Sequence, residues 1–166
     1  MFFCFFTYLK FFLKATNHHG IHSPFVYSYL TKCLYLKPKK SKDKTLDVLL
    51  KSIVYFNFTR IKIIGNNDYE KALKNYLPNL NFDDSKVDLL YYETPNFVEP
   101  ITMTSHYELH NDSLIIFNNI NKNSKPYSYW SNFTKWKKAT VSIDCYYCGV
   151  IFIRREQEKE HFFIRI

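Results

Sequence analysis

Residues 2–14, FFCFFTYLKFFLK, set apolar side chains against a sparse polar set. Thr7, Lys10 and Lys14 recur at spacings of three and four, which places them on one narrow stripe of a helix. Phe2, Phe3, Phe5, Phe6, Leu9, Phe12 and Leu13 cover the remainder. A helix apolar over so much of its circumference is expected to be buried against the rest of its own chain. A partner or a membrane surface is the other way to cover it. A second helical pattern runs through Phe25, Val26, Tyr29, Leu30, Cys33 and Leu34. Ser23-Pro24 is its start signal, because Ser caps free N–H groups and Pro suits the first helical position. A third places Leu46, Leu49, Leu50, Ile53 and Val54 on one face.

From residue 61 the pattern changes. Ile61 to Ile64 is a short apolar run that ends at Gly65, a strand meeting a turn. A helix over 69–77 follows, with Asp68 as its cap, Glu70 and Lys74 at i,i+4, and Pro78 as its stop. Val87 to Tyr92 and Leu114 to Phe117 read as further strands, with a short helix over 101–110 between them. Residues 127–138, around Trp130, Phe133 and Trp136, read as helix. ATVSID, GVIFIRR and HFFIRI supply two or three closing strands, and REQEKE reads as the turn of an antiparallel hairpin joining the last two. Strands alternating with helices predict an α/β fold of about five strands, mostly parallel, made mixed by the closing hairpin. Residues 1–44 read as a helical extension with a Lys-rich linker, and 45–166 as the α/β domain.

Composition narrows the chemistry. The chain has 166 residues, enough for one domain with a real core. Its only glycines are Gly20, Gly65 and Gly149, so a glycine-rich phosphate cradle lacks its parts. The net charge of +8 and the 14 Tyr and 16 Phe would suit a nucleic-acid binder. Lys-rich charge also keeps an aromatic chain in solution, and that plainer reading is preferred. KPKKSKDK, residues 37–44, concentrates five Lys as a solvated linker or a phosphate-binding patch. The N-terminal segment lacks a basic start and a small-residue cleavage site, and it is too short to span a bilayer. A cytoplasmic setting with free thiols is expected. Cys145 and Cys148 lack further ligands at zinc spacing, and no metal site is expected. Three apart on a strand, they would point to opposite faces.

Three stretches carry a resemblance: NHHGIHSPFVYSYLTKCLY at 17–35, VDLLYYETPN at 87–96, and NDSLIIFNNI through ATVSIDCYYCGVIFIRREQEKEHFFIRI within 111–166. They resemble the class I S-adenosylmethionine-dependent methyltransferases of Bacteroidetes. Those proteins carry HG-hydrophobic-HSPF near the N-terminus and a GIVFFRKEQ-KEHF-IR-like end. The resemblance implies a Rossmann-like sheet of seven strands with an antiparallel last strand. It implies a glycine-rich cofactor loop after the first strand and an acid after the second that holds the cofactor ribose. It also implies a carboxylate at the end of the fourth strand and an Asp pair at the end of the fifth. In catechol-type relatives such carboxylates hold a divalent metal, which stabilises a substrate oxyanion.

The middle of the chain departs from that pattern. Gly65, Asn66, Asn67 and Asp68 stand where the glycine loop would be. Only 21 residues separate Asn66 from Lys86, inclusive. One crossover helix needs a dozen, so the second and third strands and the ribose acid have no room. IIGNNDYEKAL also resembles the family's third strand, in which case the first is lost. Either matching is an internal deletion that leaves an unpaired sheet edge beside 61–64. That edge needs cover from the N-terminal helix or from a second chain. Glu93 stands at the fourth-strand carboxylate, and Asn118 and Asn119 at the Asp pair, so two negative charges are lost.

The expected function is a divergent, methyltransferase-like scaffold or regulatory protein with a degraded S-adenosylmethionine site at Gly65 and Asn66. One alternative is an active O-methyltransferase whose rebuilt site uses Glu93, Asn118 and Asn119, with His19 or His22 as a base from a lid. Another is a basic RNA- or partner-binding module.

Overall fold

A computed structural model describes residues 2–65, 68–83, 85–93 and 106–166. Five α-helices and six strands are present among them. They are α1 (Phe2–Lys14), α2 (Pro24–Tyr29), α3 (Lys44–Phe56), β1 (Ile61–Ile64), α4 (Asp68–Tyr76), β2 (Lys86–Tyr92), β3 (Glu108–Asn118), α5 (Ser124–Lys135), β4 (Val141–Asp144), β5 (Cys148–Phe152) and β6 (Glu160–Phe163). The strands form one sheet in the order β1-β2-β3-β5-β4-β6. β5 runs against both β3 and β4, and the other pairings are parallel.

Period-two alternation divides the sheet between two cores. Leu89, Tyr91, Leu114, Ile116, Val150 and Phe152 face one core, shared with Val26, Tyr29 and Leu30 and with Leu49, Leu50 and Ile53 of α3. Residues 21–34 therefore pack into the same core as the sheet. Leu90, Tyr92, Ile115, Phe117 and Ile151 face the other, under Trp130 and Phe133 of α5. The start signal of α2 acts as read, whereas Asp68 is the first residue of α4 rather than the cap before it. Ser23 Oγ accepts from Val26 N–H at 3.4 Å with Pro24 in the first turn, and Lys74 pairs with Glu70 at 2.6 Å.

Several sequence expectations are corrected. The hairpin is formed by β4 and β5 through residues 145–147, not by the last two strands across REQEKE. β5 already has β3 and β4 on its two edges, so β6 crosses to the outer edge of β4 and pairs there in parallel. Cys145 and Cys148 flank that turn, with Cys145 N–H donating to Cys148 O at 2.9 Å, and both thiols are free and buried in one core. Positions that face each other across a hairpin share a face, which the spacing along one strand does not reveal. Residues 108–110 belong to β3 rather than to a helix, while 101–105 lie outside the described residues. Val54 is 52% exposed rather than part of the buried face of α3. That helix instead buries Asp47 and Lys51, which pair at 2.9 Å.

β1 is an edge strand. At its first residue the segment before β2, rather than α1, pairs with its outer edge: Ile61 N–H donates to Asn81 O at 2.8 Å, and Asn81 N–H to Thr59 O at 2.8 Å. α1 lies by β6 and the β4–β5 turn, with Phe11 against Tyr146 and Phe163. Most of α1 is uncovered, against expectation: Phe5, Phe6, Phe12 and Leu13 are each at least half exposed. No helix of the described residues is long and apolar enough to cross a membrane.

Candidate functional site

The parallel strands β1, β2 and β3 end on one edge of the sheet, the edge where open α/β sheets hold ligands. Gly65, Glu93, Asn118 and Asn119 lie there, directly after or at the ends of those strands. Asn66 lies outside the described residues. The structure brings Gly65 and Glu93 into contact. Gly65 has φ +136°, and a Cβ built on it would stand 2.5 Å from Glu93 Cβ and 2.7 Å from Glu93 Oε2. Only glycine fits there, and the space it leaves is filled by Glu93. Glu93 N–H also donates to Ile64 O at 3.0 Å, which clamps the two strand ends together.

Asn118 is 7% exposed, and its amide is engaged on both sides. Its Oδ1 accepts from the Thr45 hydroxyl at 2.8 Å and from Asn119 N–H at 2.9 Å. Its Nδ2 donates to the Tyr69 hydroxyl at 3.4 Å, and that hydroxyl donates to Asp43 Oδ2 at 2.9 Å. The Tyr69 ring lies against Tyr91, with centroids 4.9 Å apart. Burial, followed by the neighbouring Tyr69, raises the Tyr91 hydroxyl far above the ordinary tyrosine value. That hydroxyl is buried with no hydrogen-bond partner among the described residues. Asn119 is exposed at φ 54°, with its N–H donating to Tyr147 O at 2.7 Å. Asp43 and Thr45 come from the start of α3, and Tyr69 from the start of α4. These residues share no sequence spacing with Asn118, so only the fold reveals them.

His19 and His22 are exposed, and the contacts of their segment run elsewhere. Asn17 Oδ1 accepts from His19 N–H at 3.1 Å, and the His19 ring lies tilted against His18 with centroids 4.1 Å apart. His18 in turn meets Tyr27 and Tyr35. Among the described residues, no group of three or more His, Cys, Asp or Glu comes together that could hold a metal ion.

Asp144, at the same edge on the end of β4, escaped sequence reasoning. It is 2% exposed, with Oδ1 accepting from Tyr146 N–H at 2.7 Å. Burial pushes its pKa up to about 6, against weaker opposing hydrogen bonds from Tyr146, Trp130 and Asn121. A raised carboxyl pKa means that the folded protein holds a proton the unfolded chain has released. The contribution of Asp144 to stability is then greatest below pH ~4 and falls as pH rises through 6, by ~3 kcal/mol at most. Asp144→Asn keeps an acceptor for Tyr146 and should remove that slope, gaining roughly 2 kcal/mol at pH 8. Urea denaturation at pH 5 and pH 8 checks this; an unchanged slope would show that Asp144 does not cause it.

A second polar constellation sits at the opposite end of the strands. Between Val87 and Leu89 of β2, β3 inserts the bulge that contains His110. His110 Nε2 lies 2.9 Å from Asp88 Oδ1, and the Arg60 guanidinium binds the same oxygen. Asp88 Oδ2 accepts from the N–H groups of Thr59 and Arg60 at 2.9 and 2.8 Å. His110 also lines a cleft of about 600 Å³ with Lys137, Lys138 and Arg155. Asp88 ties the loop before β1 to β2 and β3, which is a fastening role. Comparison of the chain with protein-family models, curated proteins and solved structures found no match.

Proposed function

We propose that this chain is a divergent relative of class I S-adenosylmethionine-dependent methyltransferases that works without the cofactor, as a scaffold or regulatory protein. Several features support the family side of this reading. The sheet has parallel β1, β2 and β3, an antiparallel strand near its C-terminal end, and an edge at β1 where two further strands of the family would continue. The HSPF segment and the closing strands that carry the resemblance both build into that sheet and its core.

The observation that carries the non-catalytic side is the contact between Gly65 and Glu93. A cofactor loop needs open backbone after the first strand, and here a carboxylate side chain stands over it. Tyr69 against Tyr91, and the Asn118 amide bonded to Thr45, Asn119 and Tyr69, occupy the neighbouring positions. Among the described residues, Tyr91 contributes only a buried hydroxyl without a hydrogen-bond partner to this edge. The described residues at this edge do not fit S-adenosylmethionine.

Thermal unfolding tests this reading. A competent site at a ligand concentration of 100 times Kd gains about 2.7 kcal/mol, a rise in Tm of roughly 5–10 °C for a chain of this size. Saturating S-adenosylmethionine is expected to leave Tm unchanged. A shift of several degrees would contradict the proposal.

A further inference from the structure

The outer face of α1 is apolar and uncovered. Phe5, Phe6, Tyr8, Leu9, Phe12 and Leu13 are between 45% and 77% exposed. At 3.6 residues per turn these six lie within an arc of roughly 160°. The opposite side is docked: Phe11 is buried on Tyr146 and Phe163, Tyr146 Oη–H donates to Cys4 O at 2.9 Å, and the Cys4 thiol meets Lys122 O at 3.2 Å. The helix is therefore held in place with its greasiest side outward. Surface aromatics scattered singly need no explanation, but a contiguous stripe does.

Charge identifies what covers it. Residues 1–42 hold seven Lys (10, 14, 32, 37, 39, 40 and 42) and no Asp or Glu. The whole chain has 23 Lys and Arg against 15 acids, so residues 43–166 hold 16 against 15. Nearly all of the net charge thus resides in the segment that carries α1. Lys10 and Lys14 lie side by side along one margin of the apolar arc, and Arg165 lies over the Phe12 ring at 5.5 Å. A single 13-residue helix is ~20 Å by ~10 Å, a small share of the roughly 800 Å² per partner that a stable dimer buries. An apolar face with a cationic margin, in a segment without acids, matches a different occupant. We infer that α1 is an interfacial anchor that lays its Phe/Leu face into an anionic phospholipid surface. Apolar insertion and basic attraction are the two signals that together give stable attachment. The helix lies in the interface and does not span it.

Co-sedimentation of the full chain with vesicles tests this. Binding to phosphatidylcholine–phosphatidylserine vesicles at low salt is expected, with roughly tenfold weaker binding to phosphatidylcholine alone and at high salt. Phe12→Ser/Leu13→Asp should lower partitioning by roughly tenfold or more, and Lys10→Glu/Lys14→Glu should lower it on the charged vesicles. These side chains are exposed, so far-UV circular dichroism melts of the variants should match the parent. No binding at low salt, or binding indifferent to lipid charge, would overturn the inference. So would full binding by both variants. A dimer in light scattering that Phe12→Ser/Leu13→Asp dissolves would assign the face to a second copy instead.

Discussion

Trp130→Ala is expected to cost about 3–5 kcal/mol, the range for removing a buried aromatic, and to lower Tm by roughly 10–15 °C. Trp130 is 2% exposed and, with Phe133, packs α5 against the sheet. Its ring rests on β5 where Gly149 has no side chain; a Cβ at 149 would overlap Trp130 Cζ3, Cε3 and Cη2. Phe117 packs beside it at 6.1 Å. The pairing makes a sharper test than the single variant. Gly149→Ala alone should destabilise by about 1–3 kcal/mol through overpacking. In the Trp130→Ala background the same change should become neutral or favourable, because the added methyl enters the cavity. Denaturant melts of the four proteins measure the coupling. Additive costs would show that Trp130 does not dictate glycine at 149.

Asp88→Ala is expected to cost about 2–3 kcal/mol. Removing one partner of a buried pair costs more in general, but Arg60 and His110 are each about a third exposed and water reclaims part of the loss. Burial raises the Asp88 pKa. Arg60, the Thr59 and Arg60 N–H groups and His110 outweigh that and hold it well below the usual carboxylate range. A depressed pKa contributes stability that is fully present above the unfolded value near 4 and is lost as pH falls below it. The parent should therefore lose stability as pH falls below 4, and Asp88→Asn should flatten that limb. This window lies below the one that Asp144 governs, so the two carboxylates separate in one pH series. Guanidinium melts from pH 2.5 to pH 5 report it; parallel acid limbs for parent and variant would contradict the assignment.

What the sequence made legible was local. Ser23-Pro24 starts α2, Gly65 ends β1, and the apolar runs at 87–92 and 114–117 become central strands, because capping, turn chemistry and strand patterning act within a few residues. The path of β6 was not legible, because it depends on which strand edges are already filled. The exposure of α1 was not legible either, since an apolar pattern states a need for cover and not who provides it. At the candidate site, Gly65, Glu93 and Asn118 are read from the family positions they match, and the structure places all three at strand ends on one edge. Tyr69, Tyr91, Thr45 and Asp43 were missed because their link to Asn118 spans up to 75 residues of chain, from Asp43 to Asn118. Asp144 was missed because only tertiary burial separates it from an ordinary surface carboxylate.

We propose that the edge above β1 and β2 is closed to a cofactor by this chain's own side chains. Isothermal titration of the full chain with S-adenosylmethionine tests it most directly. The arrangement of Gly65, Glu93, Tyr69 and Asn118 predicts no saturable heat. A single-site isotherm with micromolar Kd would contradict it.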